Sequence, residues 1–161
     1  MSLKLAAPPH WQAEAKRVLA AHEPTTPLYI YMAFHNNHGP LEVTDYYKGQ
    51  YPVSPTMVNS RATYNGMTTA WDDGLKNITD VYRSKGMWEN TLMVMSADNG
   101  GPIYGGGAAN NYPLRGGKMS NWEGGVRTVA LLSGGFLPPA LYGKTAPGYI
   151  HICVSNLRSR P

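Results

Sequence analysis

Residues 91–127 read TLMVMSADNGGPIYGGGAANNYPLRGGKMSNWEGGVR. The stretch opens on an apolar run, residues 91–95, of strand-like length and Thr/Val content, and it stops at Ser96, Asp98, Asn99 and the pair Gly100 and Gly101. An apolar strand ending in a carboxylate and a glycine turn sets that carboxylate at the carboxyl edge of a sheet, where open α/β folds hold their ligands. Asp98 is therefore the first candidate site residue. The glycine-rich residues 100–107 lead on to Leu114-Arg115-Gly116-Gly117-Lys118, and glycines let backbone pass close to a ligand. Asp98 and Asn99 offer hard oxygens of the kind Ca²⁺ or Mg²⁺ accepts, while Lys118 can hold an anion that bridges to such a cation. Taken alone, Asp-Asn-Gly-Gly is equally an ordinary turn, because Asp and Asn tolerate the left-handed region and Gly supplies positive φ.

Upstream, residues 11–22 (WQAEAKRVLAAH) predict a helix ended by Glu23-Pro24, since proline disfavours helix in the residue before it. Residues 28–34 (LYIYMAF) form an almost continuous apolar run, the pattern of a buried parallel strand. It ends at His35-Asn36-Asn37-His38-Gly39-Pro40, a second polar cluster at a strand's carboxyl end. Residues 41–55 are irregular and bounded by proline. From residue 60 to 84, Tyr64, Met67, Trp71, Leu75, Ile78 and Tyr82 recur at spacings of three and four, which is one face of a long helix. Asn59 or Ser60 can cap its start and Gly86 suits its end. Asp72 and Asp73 project in different directions on that helix, so solvation or a structural hydrogen bond suits them better than paired-carboxylate catalysis. Together the two strands and the helix predict a right-handed crossover, and residues 128–132 (TVALL) are a further buried-strand candidate.

These pieces in this order carry a resemblance. SADNGG after an apolar strand, a glycine loop, then PLRGGKMSNWEGGVR is similar to the C-terminal part of the catalytic domain of type I sulfatases, members of the alkaline phosphatase superfamily, closest to the arylsulfatase B (N-acetylgalactosamine-4-sulfatase) group. The matching order runs from about Pro27 to His151. It implies an α/β fold, a partial alkaline-phosphatase-like sheet with flanking helices, with residues 27–151 as a partial catalytic domain. Residues 1–26 are then a helical lead-in and residues 152–161 a tail without family counterpart.

The resemblance also implies roles. His38, in the family's strand-then-His-x-Pro motif, and Lys118 would contact the substrate sulfate and serve catalysis, and Asp98 and Asn99 would ligate Ca²⁺. His35 does not match the motif position and is read as a loop residue. Trp71 and Lys76 depart from the family pattern in ways that touch packing. Glu123 is expected in a structural ion pair with Arg127 or Arg115. Asn77-Ile78-Thr79 is the sole N-x-S/T sequon, a candidate glycosylation site at Asn77.

Other parts of the family's machinery have no counterpart here: the formylglycine nucleophile, its arginine, a first pair of aspartates and a further Lys/His pair. The single cysteine, Cys153, is followed by Val154, Ser155, Asn156 and Leu157, without the proline and arginine of C-x-P-x-R, and is not that nucleophile. The expectation is a fragment of a sulfuric ester hydrolase, inactive alone, acting in its complete form on sulfate esters such as sulfated glycosaminoglycans. Two alternatives remain open: a non-catalytic product that binds sulfated glycans or a protein, and another metal-dependent phosphatase or phosphodiesterase of the superfamily.

Composition bounds these readings. The chain of 161 residues is 42% apolar and 15% charged, with 18 glycines and 13 prolines, and it has no apolar run long enough to span a bilayer. The 14 basic residues exceed the acidic ones by a net +4 without forming a dense cluster, so nucleic acid is not implied. The opening residues MSLKLAAPPHW lack the apolar core of a secretory signal. Because family relatives enter the secretory pathway, a lysosomal or secreted parent with a missing N-terminus is expected. The closing ICVSNLRSRP departs from the family and suggests read-through of a splice donor. Strands left with open edges would make the isolated chain marginal or prone to aggregate.

Overall fold

The computed structural model describes residues 9–52 and 59–146; the 152–161 tail with Cys153 lies outside them. In chain order the elements are α1 (Pro9–Ala21), α2 (Asp45–Lys48), α3 (Asn59–Ser84), a 3₁₀ turn (Trp88–Asn90), β1 (Met93–Ser96), α4 (Glu123–Val126), β2 (Ala130–Ser133) and a second 3₁₀ turn (Pro139–Leu141).

The long helix forms where the three-and-four spacing predicts it, and it organises everything before the sheet. Ala62, Met67, Ala70 and Ile78 are buried along it. Gly66 completes that face for a steric reason, because α2 crosses there: a Cβ on Gly66 would stand 3.1 Å from Lys48 N, Tyr47 C and Val43 Cγ1. Trp71 meets Phe34 edge-on with ring centroids 6.0 Å apart, so this departure from the family pattern packs. Burial first, and then the Asp73 carboxylate nearby, push the Tyr47 phenol above its ordinary range. Asp80 instead pairs with Lys76 at 2.5 Å and Arg83 at 3.7 Å.

α3 ends in a Schellman motif. Gly86 has φ +68, its N–H donates to Arg83 O at 3.0 Å, and Met87 N–H donates to Tyr82 O at 2.9 Å. The residue between helix and glycine, Lys85, reaches back to α1, where its Nζ donates to Leu19 O (2.8 Å), Ala20 O (2.9 Å) and His22 O (2.6 Å). One ammonium thus serves carbonyls around the end of α1, where Leu19 O also accepts from His22 N–H at 3.2 Å.

Between α1 and α3 sits the core: Ala15, Leu19 and Ile78 are buried, and Leu28, Ile30, Met32, Phe34, Val81 and Tyr82 pack against them. Full burial of Leu19 contributes about 1.5–3 kcal/mol. Residues 28–34 correct the expectation of a strand buried on both faces. They form no strand and join no ladder, and burial alternates, with Tyr29 86% and Tyr31 79% exposed. One face packs on the helices, and no described residue covers the other. No right-handed strand–helix–strand crossover therefore forms among the described residues.

The sheet has two antiparallel strands, with Met93 opposite Ser133, Val94 opposite Leu132, Met95 opposite Leu131 and Ser96 opposite Ala130. β2 corrects the expectation of a buried strand at residues 128–132: all four of its residues are exposed. In this two-stranded ribbon each strand has one neighbour and no described element packs on β2, so apolar side chains such as Leu131 and Leu132 are exposed.

Candidate functional site

The apolar run at β1 does end in the polar turn, and the returning chain grips that end. Ala97 N–H donates to Val129 O at 3.1 Å, and Gly100 N–H donates to Gly125 O at 2.8 Å. Glycine is required at 100 because a Cβ there would lie 1.7 Å from Gly124 O. Asp98 and Asn99 are thereby displayed between two clamped points, with Asp98 exposed and Asn99 half-buried.

The glycine loop folds back by the same means. Asn111 is its tie: its Oδ1 accepts from Gly101 N–H (3.1 Å), and its Nδ2 donates to Gly101 O (2.8 Å) and Gly116 O (3.0 Å). Lys118 N–H then donates to Gly101 O at 3.1 Å. The backbone of Lys118 is therefore fixed against Gly101, two residues past Asn99.

His38 arrives from a loop distant in sequence. Asn36 Nδ2 donates to Met67 O at 2.9 Å, and Asn37 Nδ2 donates to Tyr64 O at 3.0 Å and Thr68 Oγ1 at 2.5 Å, which fastens this loop to α3. Tyr64 is half-buried at that junction, and burial pushes its phenol above the ordinary value of 10.0, opposed by the Arg61 charge and the Asn37 hydrogen bond. The His38 ring is exposed, its Nδ1 2.8 Å from Gly39 O and its Nε2 3.1 Å from Lys118 Nζ. A carbonyl only accepts, so Nδ1 carries the proton and Nε2 keeps a lone pair, which the Lys118 ammonium meets as donor. Two residues singled out separately in the sequence thus meet across most of the described chain.

The remaining candidates divide. Asp98 makes no ion pair among the described residues, and Asn99 uses its Nδ2 on Gly100 O at 2.8 Å, which leaves Oδ1 available. These are two hard oxygen donors, which fit part of a Ca²⁺ shell of six to eight. No group of three or more His, Cys, Asp or Glu able to hold a metal occurs among the described residues. Glu123 pairs with Arg127 at 3.2 Å, one of the two partners expected; the other, Arg115, instead lies over the Trp122 ring at 3.7 Å. Asn77 is half-buried, and the sequon's Thr79 is buried with its hydroxyl donating to Leu75 O at 2.9 Å. A surface hollow of about 430 Å³ is lined by Asp45, Lys48, Gly49, Tyr51 and Pro52, none of them a candidate residue.

Sequence reading missed two features. Asn111 was not singled out, although an amide set between a glycine loop and Pro113 is a group able to satisfy backbone donors and acceptors at once. His35 was read as a plain loop residue, yet its ring lies beside that of His38, centroids 5.5 Å apart and tilted by 56°.

Comparison with known proteins shows the family to which the chain belongs. The family profile described as Sulfatase matches residues 11–152. Mouse Arylsulfatase J is 36% identical over 118 residues, which cover 73% of this chain and 19% of that protein. Two solved structures are similar: Ps i-CgsB in complex with k-i-k-neocarrahexaose, at TM-score 0.69 and 32% identity, and Ps i-CgsB alone, at 0.67 and 31%. Each match covers 76% of this chain and 26% of the other. The chain thus spans about a fifth to a quarter of the length of these relatives. No described helix is long and apolar enough to cross a membrane.

Proposed function

The chain belongs to the sulfatase family and its α/β fold is part of the alkaline-phosphatase-like domain of that family, and on that premise we propose that it supplies one wall of a site that binds and hydrolyses sulfate esters. The observation that carries this reading is the 3.1 Å approach of Lys118 Nζ to His38 Nε2. A lysine about 4 Å from an anion contributes on the order of 4 kcal/mol at an effective dielectric near 20, before desolvation is subtracted. In the proposal Lys118 holds a sulfate oxygen. The departing alcohol needs a proton, which His38 gives from Nε2 only once that nitrogen has itself been protonated, since Nδ1–H is held by Gly39 O and the resting Nε2 carries a lone pair.

Asp98 and Asn99 would hold Ca²⁺ through the carboxylate and the free Oδ1. When bound, that ion would neutralise charge on the sulfate. Two donors make an incomplete shell, and the chain has no C-x-P-x-R nucleophile, so the isolated chain is assigned no turnover. We further assign the complete protein sulfated glycans as substrates, in the manner of the arylsulfatase B group. The oligosaccharide bound to Ps i-CgsB supports a carbohydrate substrate. Passage to the lysosome or cell exterior, with glycosylation at Asn77, belongs to the same reading.

The test uses a complete sulfatase catalytic domain carrying residues 11–152 in place of its matching segment. His38→Gln and Lys118→Met should each lower kcat/KM for an aryl sulfate by at least about 100-fold, or roughly 2.7 kcal/mol. Losses under threefold for both would overturn the assignment.

A further inference from the structure

The His35 ring, which lies beside that of His38, has no role in the sulfate reading. The two histidines sit three residues apart in a turn closed by His38 N–H donating to His35 O at 2.8 Å. Both residues are exposed, and the His35 ring makes no hydrogen bond among the described residues. Two imidazoles sharing a tetrahedral ion at Zn–N distances of about 2.0–2.1 Å place their ring centroids roughly 5 Å apart. His35 and His38 already stand at 5.5 Å.

We propose that His35 and His38 form a two-nitrogen site for a borderline-soft divalent ion, zinc or copper(II), separate from the oxygen pair Asp98 and Asn99. Imidazole nitrogen suits Zn²⁺ and Cu²⁺, whereas carboxylate and amide oxygens suit Ca²⁺. The His38 tautomer prepares the site, because Nδ1–H on Gly39 O directs the lone pair to Nε2 and fixes the ring. Water completes the coordination, since two protein donors fall short of a closed shell.

The ion and Lys118 use the same lone pair. Metal binding at Nε2 therefore releases the Lys118 ammonium from its 3.1 Å contact and places a second positive charge beside it. Lys118 opposes the metal, and the metal in turn removes the arrangement assigned to sulfate. That inhibitory consequence rests on the sulfate reading; the binding itself does not.

Cu²⁺ titration of the purified chain, followed by electron paramagnetic resonance, tests the site without any activity assay. Hyperfine structure from two nitrogens is expected, reduced to one and bound at least tenfold more weakly in His35→Gln. His22→Gln, which alters a ring already engaged by Thr26 O at 2.9 Å, should leave binding unchanged. Lys118→Met should bind Cu²⁺ several-fold more tightly, because the competitor for Nε2 is gone. Circular dichroism of each variant separates loss of the site from loss of fold. A folded His35→Gln that binds Cu²⁺ like the unaltered chain would overturn the proposal, and so would a folded Lys118→Met with unchanged affinity.

Discussion

Lys118 Nζ stands 3.1 Å from His38 Nε2, although the two residues are 80 positions apart in the chain. Neither residue is placed by its own neighbours alone. Lys118 depends on Asn111 and Gly101, and His38 on a loop whose Asn36 and Asn37 are fastened to α3. The contact is therefore a readout of how the glycine loop and the long helix sit together.

Removing the loop's tie should loosen Lys118. Asn111→Ala leaves Gly101 N–H, Gly101 O and Gly116 O without their amide partner, and each uncompensated buried group costs about 1–3 kcal/mol. Urea denaturation should show a loss in that range, and the Lys118 backbone amide should exchange faster with solvent. An unchanged exchange rate would mean that Asn111 does not position the lysine.

Close backbone approach makes a sharper prediction at Gly100. A Cβ there would lie 1.7 Å from Gly124 O, so Gly100→Ala should destabilise by more than about 3 kcal/mol. Gly105→Ala, where an added Cβ meets nothing within 4 Å, should stay within about 0.5 kcal/mol. Equal thermal midpoints for the two variants would contradict the clamped turn.

How much of this was legible in the sequence follows from what each signal encodes. The face of α3 is a local periodicity, so Met67 and Ile78 were readable as core. The positions of Asp98 and Lys118 on clamped backbone were foreshadowed because an apolar run stopping at a carboxylate and a glycine loop closing on a lysine each constrain the chain, whereas His38 was singled out only through the resemblance. Residues 28–34 were misread because a continuous apolar run does not say whether both faces are covered. Tyr29 and Tyr31 show that one is not. The two strands of the ribbon were found, but nothing local to residues 128–132 announces that β2 stays exposed. Asn111 and the pairing of His35 with His38 depend on three-dimensional contacts that no spacing rule supplies.

Lys85 offers a test of helix docking. Its ammonium caps three carbonyls around the end of α1, and hydrogen bonds to a charged donor are among the stronger ones. Lys85→Met should cost about 1–3 kcal/mol in chemical denaturation, with Lys85→Arg recovering part of it. A neutral Lys85→Met would show that water serves those carbonyls equally well.

Alkaline pH should weaken the junction at Tyr64. Burial raises its folded pKa above the ordinary 10.0, so its contribution is fully present below about pH 10 and is lost as pH rises through the folded value. Phenolate absorbance followed with pH should place one titration late, and Tyr64→Phe should remove it. A Tyr64→Phe variant that keeps the late step would assign it to another buried tyrosine such as Tyr82, whose phenol burial also raises.

The central claim, that His38 and Lys118 together form an anion site, is tested most directly by titrating sodium sulfate into the purified chain while observing the His38 ring nitrogens by NMR. Nε2 is expected to shift in a saturable way while Nδ1 keeps the signature of a protonated nitrogen, and Lys118→Met is expected to abolish the response. Sulfate-independent His38 signals, or the same saturable shift in folded Lys118→Met, would contradict it.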